Sequence, residues 1–264
     1  MRLGFLQLRP RFGAVAENVG RAAVMLKRAR DATIVLPELF PTGYLFGNRG
    51  EVKKLAEAVP GGFTCRVLRD LAARNRLNLV FGIAERGQGR FYNSAVLVTA
   101  SGRTLVYRKT HLFDREKLFF SPGEGLFPPA RVGAARLGIL ICFDWIFPEV
   151  SRVLALRGAQ ILCHPSNLVL PWGQEAMRTR CLENRVFAVT ANRVGTERRA
   201  GMSLTFTGRS QIVGPRGEIL FRAAEKTEML KIVEVDLREA RTKRVTRRND
   251  LFRDRRPRLY QALV

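Results

Sequence analysis

An α/β sandwich made of two related halves is the fold class the sequence predicts, and three observations lead to it. Short apolar runs bounded by turn residues alternate with amphipathic stretches, the order of strands and helices in α/β proteins. RLGFLQL at 2–8 matches RLGILIC at 136–142 in four of seven positions, and ATIVLPE at 32–38 is answered by AQILCHP at 159–165. The strands are mostly apolar on both faces, which predicts sheets covered by helices on one side and packed on the other. A repeat of roughly 130 residues is far longer than the ~20–50-residue unit of a solenoid, so it describes two halves sharing one core.

The elements follow in order. Leu3 to Leu8 is the first strand, and a helical stretch runs from about Ala14 to Arg30. ATIVLPELF gives a buried strand ending at Pro37 and Glu38; a helix from about Thr64 to Asn75 leads into NLVFGIAE. RFYNSAVLVTA and RTLVYRKTHLF then straddle the turn Ser101-Gly102. The second half repeats the scheme: a strand from Arg136 to Cys142, a helix from Pro148 to Leu156, the strand AQILCHPSN, a helix from Glu175 to Asn184 and the strand VFAVTANRV. SQIVGPRGEIL reads as a hairpin around Pro215-Arg216-Gly217.

Composition bounds the function. The 264 residues are 46% hydrophobic and 26% charged, the balance of a folded globular protein. No stretch approaches the ~18 consecutive apolar residues of a membrane span. The opening MRLGFLQLRPRFG has too short an apolar run before Arg9 and Pro10 for a secretory signal. The net charge of +23 is carried by 38 Arg and only 8 Lys. Such a balance raises nucleic acid as a partner, but the arginines are scattered through every segment, so nucleic acid is not expected. Arg over Lys fits equally a GC-rich genome or a hot habitat.

The four cysteines, at 65, 142, 163 and 181, form no C-x-x-C pair, and His111 and His164 are the only histidines. Neither zinc spacing nor a disulfide framework is present. We therefore expect a reducing, cytoplasmic setting, no metal and no cofactor, with any functional cysteine acting as a thiol.

In α/β proteins, reactive groups collect at the carboxyl ends of strands. Three ends carry unusual residues: Glu38 after TIVLPE, Lys109 after RTLVYRK and Cys142 after LGILIC. A carboxylate, an ammonium and a thiol brought together make a covalent catalyst: the thiol attacks, the carboxylate takes its proton and the ammonium holds the oxyanion. Taken singly, Cys142 reads as readily as a small buried hydrophobe, and Glu38 and Lys109 as an ion pair.

At these residues the sequence resembles the carbon–nitrogen hydrolase (nitrilase) superfamily. The matching motifs are LPELFPTGY at 36–44, YRKTHLFDREKLFFSPGE at 107–124, GILICFDWIFPEVSR at 138–152, HPSNLVLPW at 164–172 and RCLENRVFAVTANRVG at 180–195. The resemblance implies a four-layer αββα sandwich with the internal two-fold repeat, and the triad Glu38, Lys109 and Cys142. It further implies that Glu116 orients the site and that the backbone N–H of Phe143 joins Lys109 in holding the oxyanion. The expected reaction releases ammonia from a small amide or nitrile through a Cys thioester or thioimidate. Lys109 should also lower the thiol pKa, since a cation favours a thiolate.

Phe40, Tyr44, Trp145, Phe147 and Trp172 lie near the motifs as candidate pocket walls, of which Tyr44, Trp145 and Phe147, with Asn167, are taken as substrate-binding. His111 reads as ordering its loop and His164, in HPSN at a strand end, as close enough to line the site, its role left open; Cys65, Cys163 and Cys181 read as packing. CFDWIFPE offers no Arg for a substrate carboxylate, which favours neutral amides or nitriles; N-carbamoyl amines or amino acids are the alternative. Residues 1–236 are expected to form the hydrolase domain. Arg238 to Arg258, with ten basic residues and three acidic ones, belongs to a basic extension at 237–264. NDLFRDRRPRLY resembles the family's C-terminal segment that crosses to a partner subunit, implying a homodimer or homotetramer; the non-enzymatic alternative is nucleic-acid binding by this tail.

Overall fold

In the first half, β1 (Arg2–Gln7), α1 (Val15–Leu26) and β2 (Thr33–Val35) precede α2 (Arg49–Leu55) and α3 (Phe63–Asn75). β3 (Asn78–Gly87), β4 (Arg90–Val98), β5 (Thr104–Arg108) and α4 (Glu116–Phe119) complete it. The second half holds β6 (Ala130–Val132), β7 (Ala135–Ile139), a 3-10 turn at Cys142–Ile146, α5 (Pro148–Leu156), β8 (Ile161–Pro165), α6 (Gly173–Asn184) and β9 (Phe187–Ala191). A hairpin of β10 (Thr196–Arg199) and β11 (Met202–Thr205) follows, then β12 (Gln211–Val213), β13 (Ile219–Arg222) and β14 (Met229–Glu234). The structure is a computed structural model that describes residues 1–87 and 89–263.

Two six-stranded sheets result, ordered β14-β1-β2-β3-β4-β5 and β13-β12-β9-β8-β7-β6. In the first, β1, β2 and β3 are parallel, and β4, β5 and β14 run antiparallel to their neighbours. In the second, β7, β8 and β9 are parallel, and β6, β12 and β13 antiparallel. Strand order and sense therefore coincide, and the segments alike in sequence, β1 with β7 and β2 with β8, hold equivalent places.

The side-chain alternation of strands explains the layers. Phe5, Val35, Val80 and Leu97 turn inward to a core shared with Leu137, Ile139, Phe187 and Ile212 of the second sheet. Their neighbours Leu6, Ile34, Leu79, Phe81 and Val96 turn outward to Val19, Ala22, Leu26, Leu68 and Leu71 of α1 and α3. In α1 the buried Val19, Ala22 and Leu26 recur at helical spacing, one stripe facing the sheet. On the other side, α5 and α6 pack together and α6 lies over β9 and β12. α5 opens on Pro148, whose fixed φ and missing N–H suit a first helical turn. The layers are thus αββα.

Several boundaries differ from the sequence reading, and they matter for the site. β2 stops at Val35 and β7 at Ile139, so Glu38 lies in a loop and Cys142 opens the 3-10 turn, each three residues beyond its strand. Hydrophobicity continues through Leu36 and Leu140-Ile141, which are fully buried. Single backbone hydrogen bonds persist there, Leu36 N to Val80 O at 2.8 Å and Leu140 N to Cys163 O at 3.1 Å, but the paired strand register does not extend further. α2, α4, the β10–β11 hairpin and β14 were not anticipated.

Gly82 in β3 sets where the Glu38 loop can run. A Cβ there would stand 2.4 Å from Glu38 Cα and 2.6 Å from Leu39 N, and the Gly82 N–H donates to Pro37 O at 3.1 Å. No side chain fits, and both obstacles are backbone. Gly82→Ala should therefore displace Glu38. A shift of about 1 Å in a reacting group costs on the order of 10²-fold in rate. Turnover and thermal unfolding of the purified variant check this; wild-type turnover would show the loop has room.

Candidate active site

Glu38, Lys109 and Cys142 are all buried, and backbone geometry presents each one. Leu39, directly after Glu38, has φ +47°, and Cys142 itself has φ +40°. Left-handed backbone at non-glycine residues costs about 1–3 kcal/mol, so surrounding contacts must hold it. Lys109 leaves β5 at once, its N–H donating to Asn93 O at 2.8 Å.

The Lys109 ammonium lies between two carboxylates, 2.7 Å from Glu38 Oε1 and 2.8 Å from Glu116 Oε1. Asn93 Nδ2 also donates to Glu38 Oε1 at 2.7 Å. Glu38 Oε2 is buried, and no donor among the described residues reaches it. Glu116 accepts from the Tyr44 hydroxyl at 2.9 Å and from Phe113 N at 3.3 Å. An ammonium has three donors; two are spent on the carboxylates, and the third has no partner among the described residues.

Charge and burial act on the thiol together. Burial, then the charge of Glu38, drives the Cys142 pKa well above its ordinary 9.0; Lys109 opposes this and Glu116 adds to it. Lys109 does pull the thiol pKa down, as expected, but its pull does not set the net direction. One cation is outweighed by desolvation and two carboxylates, so the resting group is a thiol that needs a base. The backbone N–H of Asn167 is a smaller influence towards the thiolate. Burial by itself would lower the Lys109 pKa, but Glu116, Glu38 and Cys142 outweigh it and hold the ammonium charged. Burial raises Glu116 above 4.5 despite Lys109.

The bend at Cys142 is clamped from both sides. Asp144, fully buried, accepts from Ile141 N and from the Tyr107 hydroxyl, both at 2.8 Å, and pairs with His111 Nδ1 at 2.7 Å. His164 Nε2 meets the Cys142 carbonyl at 2.9 Å and its Nδ1 meets Thr190 Oγ1 at 3.1 Å. A carbonyl only accepts, so Nε2 carries the proton and Nδ1 accepts from the threonine. Both histidines therefore order this bend; the sequence suggested that part for His111 and left the role of His164 open. The Tyr44 loop is held separately: Glu197 accepts from Tyr44 N at 3.1 Å and Leu45 N at 2.9 Å while pairing with the buried Arg193 at 2.5 Å. Gly43, with φ +82°, has no room for a Cβ beside that carboxylate.

The remaining candidates separate. Asn167 Nδ2 donates to Glu38 O at 2.9 Å. Trp145 is buried in the core beside Gly173. Phe147 stacks on His111 at 3.9 Å and meets the Phe143 ring edge-on. Phe143 follows Cys142 in the 3-10 turn, where the first N–H groups have no partner within the helix. Two suggested pocket walls are corrected. Phe40 packs against Phe81 in the helix-side core, and Trp172 is 60% exposed. Cys65, Cys163 and Cys181 are free and buried, with burial pushing Cys65 and Cys163 up to about 12. Among the described residues, no cluster of His, Cys, Asp and Glu could hold a metal ion.

Sequence reasoning passed over Asn93, Gly82, Arg193 and Glu197. Asn93 had a signal, being a polar residue amid the apolar strand RFYNSAVLV. The others act through distances that spacing does not encode.

Comparison with known proteins identifies the family. The carbon-nitrogen hydrolase family profile matches residues 2–245. A protein named nitrilase from Pyrococcus abyssi is 43% identical, the alignment covering 98% of this chain and 99% of that one. An (R)-stereoselective amidase from Pseudomonas sp. is 37% identical over 97% of this chain and 92% of its own. Among solved structures, a carbon-nitrogen hydrolase from Helicobacter pylori G27 superposes with a TM-score of 0.90 at 29% identity, covering 100% and 98% of the two chains. An amidase from Nesterenkonia sp. AN1, its active-site cysteine modified by Michael addition of acrylamide, gives 0.80 at 26% identity with full coverage of both.

His164 makes a prediction of its own. Burial lowers its pKa from 6.5 to about 4. As the pH falls from 6.5 towards 4, the unfolded chain binds a proton that the folded chain refuses, so stability present above that window is lost within it. The loss between pH 7 and pH 5 should be on the order of 2 kcal/mol. Denaturant unfolding at both pH values, beside His164→Gln, measures it; equal slopes in the two proteins would refute the assignment.

Proposed function

The chain belongs to the carbon–nitrogen hydrolase family and is an enzyme of that type, and from that premise we propose how its site works and on what. Glu38 Oε2 takes the proton of the Cys142 thiol as the sulfur attacks the carbonyl carbon of an amide. The oxyanion is held by the free donor of Lys109 and the backbone N–H of Phe143. As the tetrahedral adduct collapses, the C–N bond breaks, Glu38 returns the proton to the leaving nitrogen, and ammonia departs from a thioester. A water deprotonated by Glu38 then hydrolyses the thioester, releasing the acid and restoring the thiol. Glu116, tied to Lys109 and Tyr44, keeps the ammonium in place.

One observation carries this reading. Lys109 and Asn93 occupy Glu38 Oε1, while Oε2 has no donor, beside a thiol that its surroundings keep protonated. A protonated nucleophile requires a base, and a carboxylate with one oxygen anchored and one open meets that need. The scheme draws on no cofactor.

The substrate is a small neutral amide or nitrile, Tyr44, Trp145, Phe147 and Asn167 bordering it. The 143–147 segment brings no cation to meet a substrate carboxylate. Residues 1–236 act as the hydrolase domain. Residues 237–264 pack on a partner subunit in a homodimer or homotetramer; exposed Val245, Leu259, Tyr260 and Leu263 give that extension an apolar surface. Four free cysteines suit a reducing, cytoplasmic compartment, and no helix among the described residues is long and apolar enough to cross a membrane.

Ammonia release from a panel of amides, nitriles and N-carbamoyl compounds tests the proposal, with Cys142→Ala and Glu38→Gln beside the wild type. Wild-type turnover of neutral amides should fall at least about 10³-fold in either variant, the scale of losing a nucleophile or its base. Turnover surviving in folded Cys142→Ala would exclude the nucleophile, and release from carbamoyl compounds alone would make the enzyme an N-carbamoyl amidohydrolase.

A further inference from the structure

The hydrogen-bonding inventory around Glu38 is lopsided. Glu38 Oε2, Asn93 Oδ1 and Asn167 Oδ1 are all buried acceptors without a donor among the described residues. Buried polar atoms are nearly always paired, and an orphan marks where a partner binds or chemistry occurs. The orientation of both amides is fixed by their other ends: Asn93 Nδ2 faces a carboxylate oxygen and Asn167 Nδ2 faces the Glu38 carbonyl, groups that only accept. Flipping either amide would set oxygen against oxygen, so the orphan atom in each is the oxygen.

Asn167 is buried against the Glu38 loop, its side chain bonded to the Glu38 carbonyl at 2.9 Å, and its backbone N–H is near enough to Cys142 to favour the thiolate slightly. It also cannot swing away easily, since Leu168 N, the next peptide, is tied to Asn192 Oδ1 at 2.8 Å. The thiol supplies one proton, which Glu38 Oε2 accepts. The further acceptors need N–H donors that none of the described residues provides.

We propose that Asn167 Oδ1 receives an N–H from the leaving nitrogen of the substrate, so that the site selects a primary amide or ureido –NH₂ over a nitrile or an ester. This rests on the nucleophilic role of Cys142 and narrows it to a substrate class. A primary amide nitrogen brings two N–H donors, whereas a nitrile nitrogen and an ester oxygen bring none and leave the buried acceptor unpaired. An interaction with the departing nitrogen orients its lone pair to receive the proton from Glu38, which makes Asn167 a positioning group for expulsion of ammonia.

The test compares a primary amide with the methyl ester of the same acyl chain. Both pass through one thioester, so deacylation is common to them and the ratio of their kcat/KM values isolates acylation. In Asn167→Leu the amide-to-ester ratio should fall about ten- to a hundredfold, the range for an unmet buried hydrogen bond. General damage to the site slows both substrates alike and leaves the ratio unchanged, which would overturn the proposal. A second measurement needs only the wild type: kcat/KM for the amide should exceed that of the matching nitrile at least about a hundredfold, and parity would equally overturn it. A wild type idle on amide, ester and nitrile would remove the nucleophile assignment and this inference with it. Turnover of ester and amide without the ratio change would remove this inference alone.

Discussion

The ammonium of Lys109, buried without access to water and shared by Glu38 and Glu116, is the interaction on which the site depends. Desolvating one cation and two carboxylates costs several kcal/mol per ion, recovered only when the geometry is close and the remaining atoms are bonded. Each member comes from a different element: the loop after β2, the end of β5 and the start of α4. Their mutual attraction therefore fixes three chain segments relative to one another. Burial first, with the neighbouring carboxylates adding to it, holds both Glu116 and Cys142 above their ordinary values. A thiol held in this way stays unreactive until a base takes its proton, which is the behaviour the proposed nucleophile requires.

Around the cluster the protein holds backbone that relaxed chains avoid. Cys142 and Leu39 adopt left-handed φ, and the contacts that enforce this are polar and buried: Asp144 on Ile141, His164 on the Cys142 carbonyl, Asn167 on the Glu38 carbonyl. Both histidines serve in this scaffold. His164, kept neutral by burial, can be a fixed donor because it does not titrate at ordinary pH.

The excess of arginine acquires a partial physical reason. Arg108 lies over Tyr92 at 3.9 Å and forks onto Glu85; Arg199 lies over Phe12 at 3.4 Å and reaches Glu51; buried Arg193 lies over Phe206 at 4.1 Å and pairs with Glu197. A planar guanidinium can stack on a ring and hydrogen-bond a carboxylate edge at once, which an ammonium cannot. Two of these three pairs hold the loop that carries Tyr44.

Alternation of apolar strands with helices, and the echo of β1 in β7 and of β2 in β8, determined the layered α/β fold, because burial on both faces and a shared core leave few other arrangements. Glu38, Lys109 and Cys142 were legible as unusual residues at strand ends, and Glu116 through the family resemblance of its motif. Only the tertiary structure decided their electrostatics. The direction of the thiol pKa depends on how many charges lie near it and how much water is excluded, and sequence spacing encodes neither quantity. It also decided that the strands stop short of Glu38 and Cys142, because regular strand register ends before hydrophobicity does. The parts of Gly82, Asn93, Arg193 and Glu197 emerged for the same reason: each acts on a residue distant in sequence, across a gap that only folding closes.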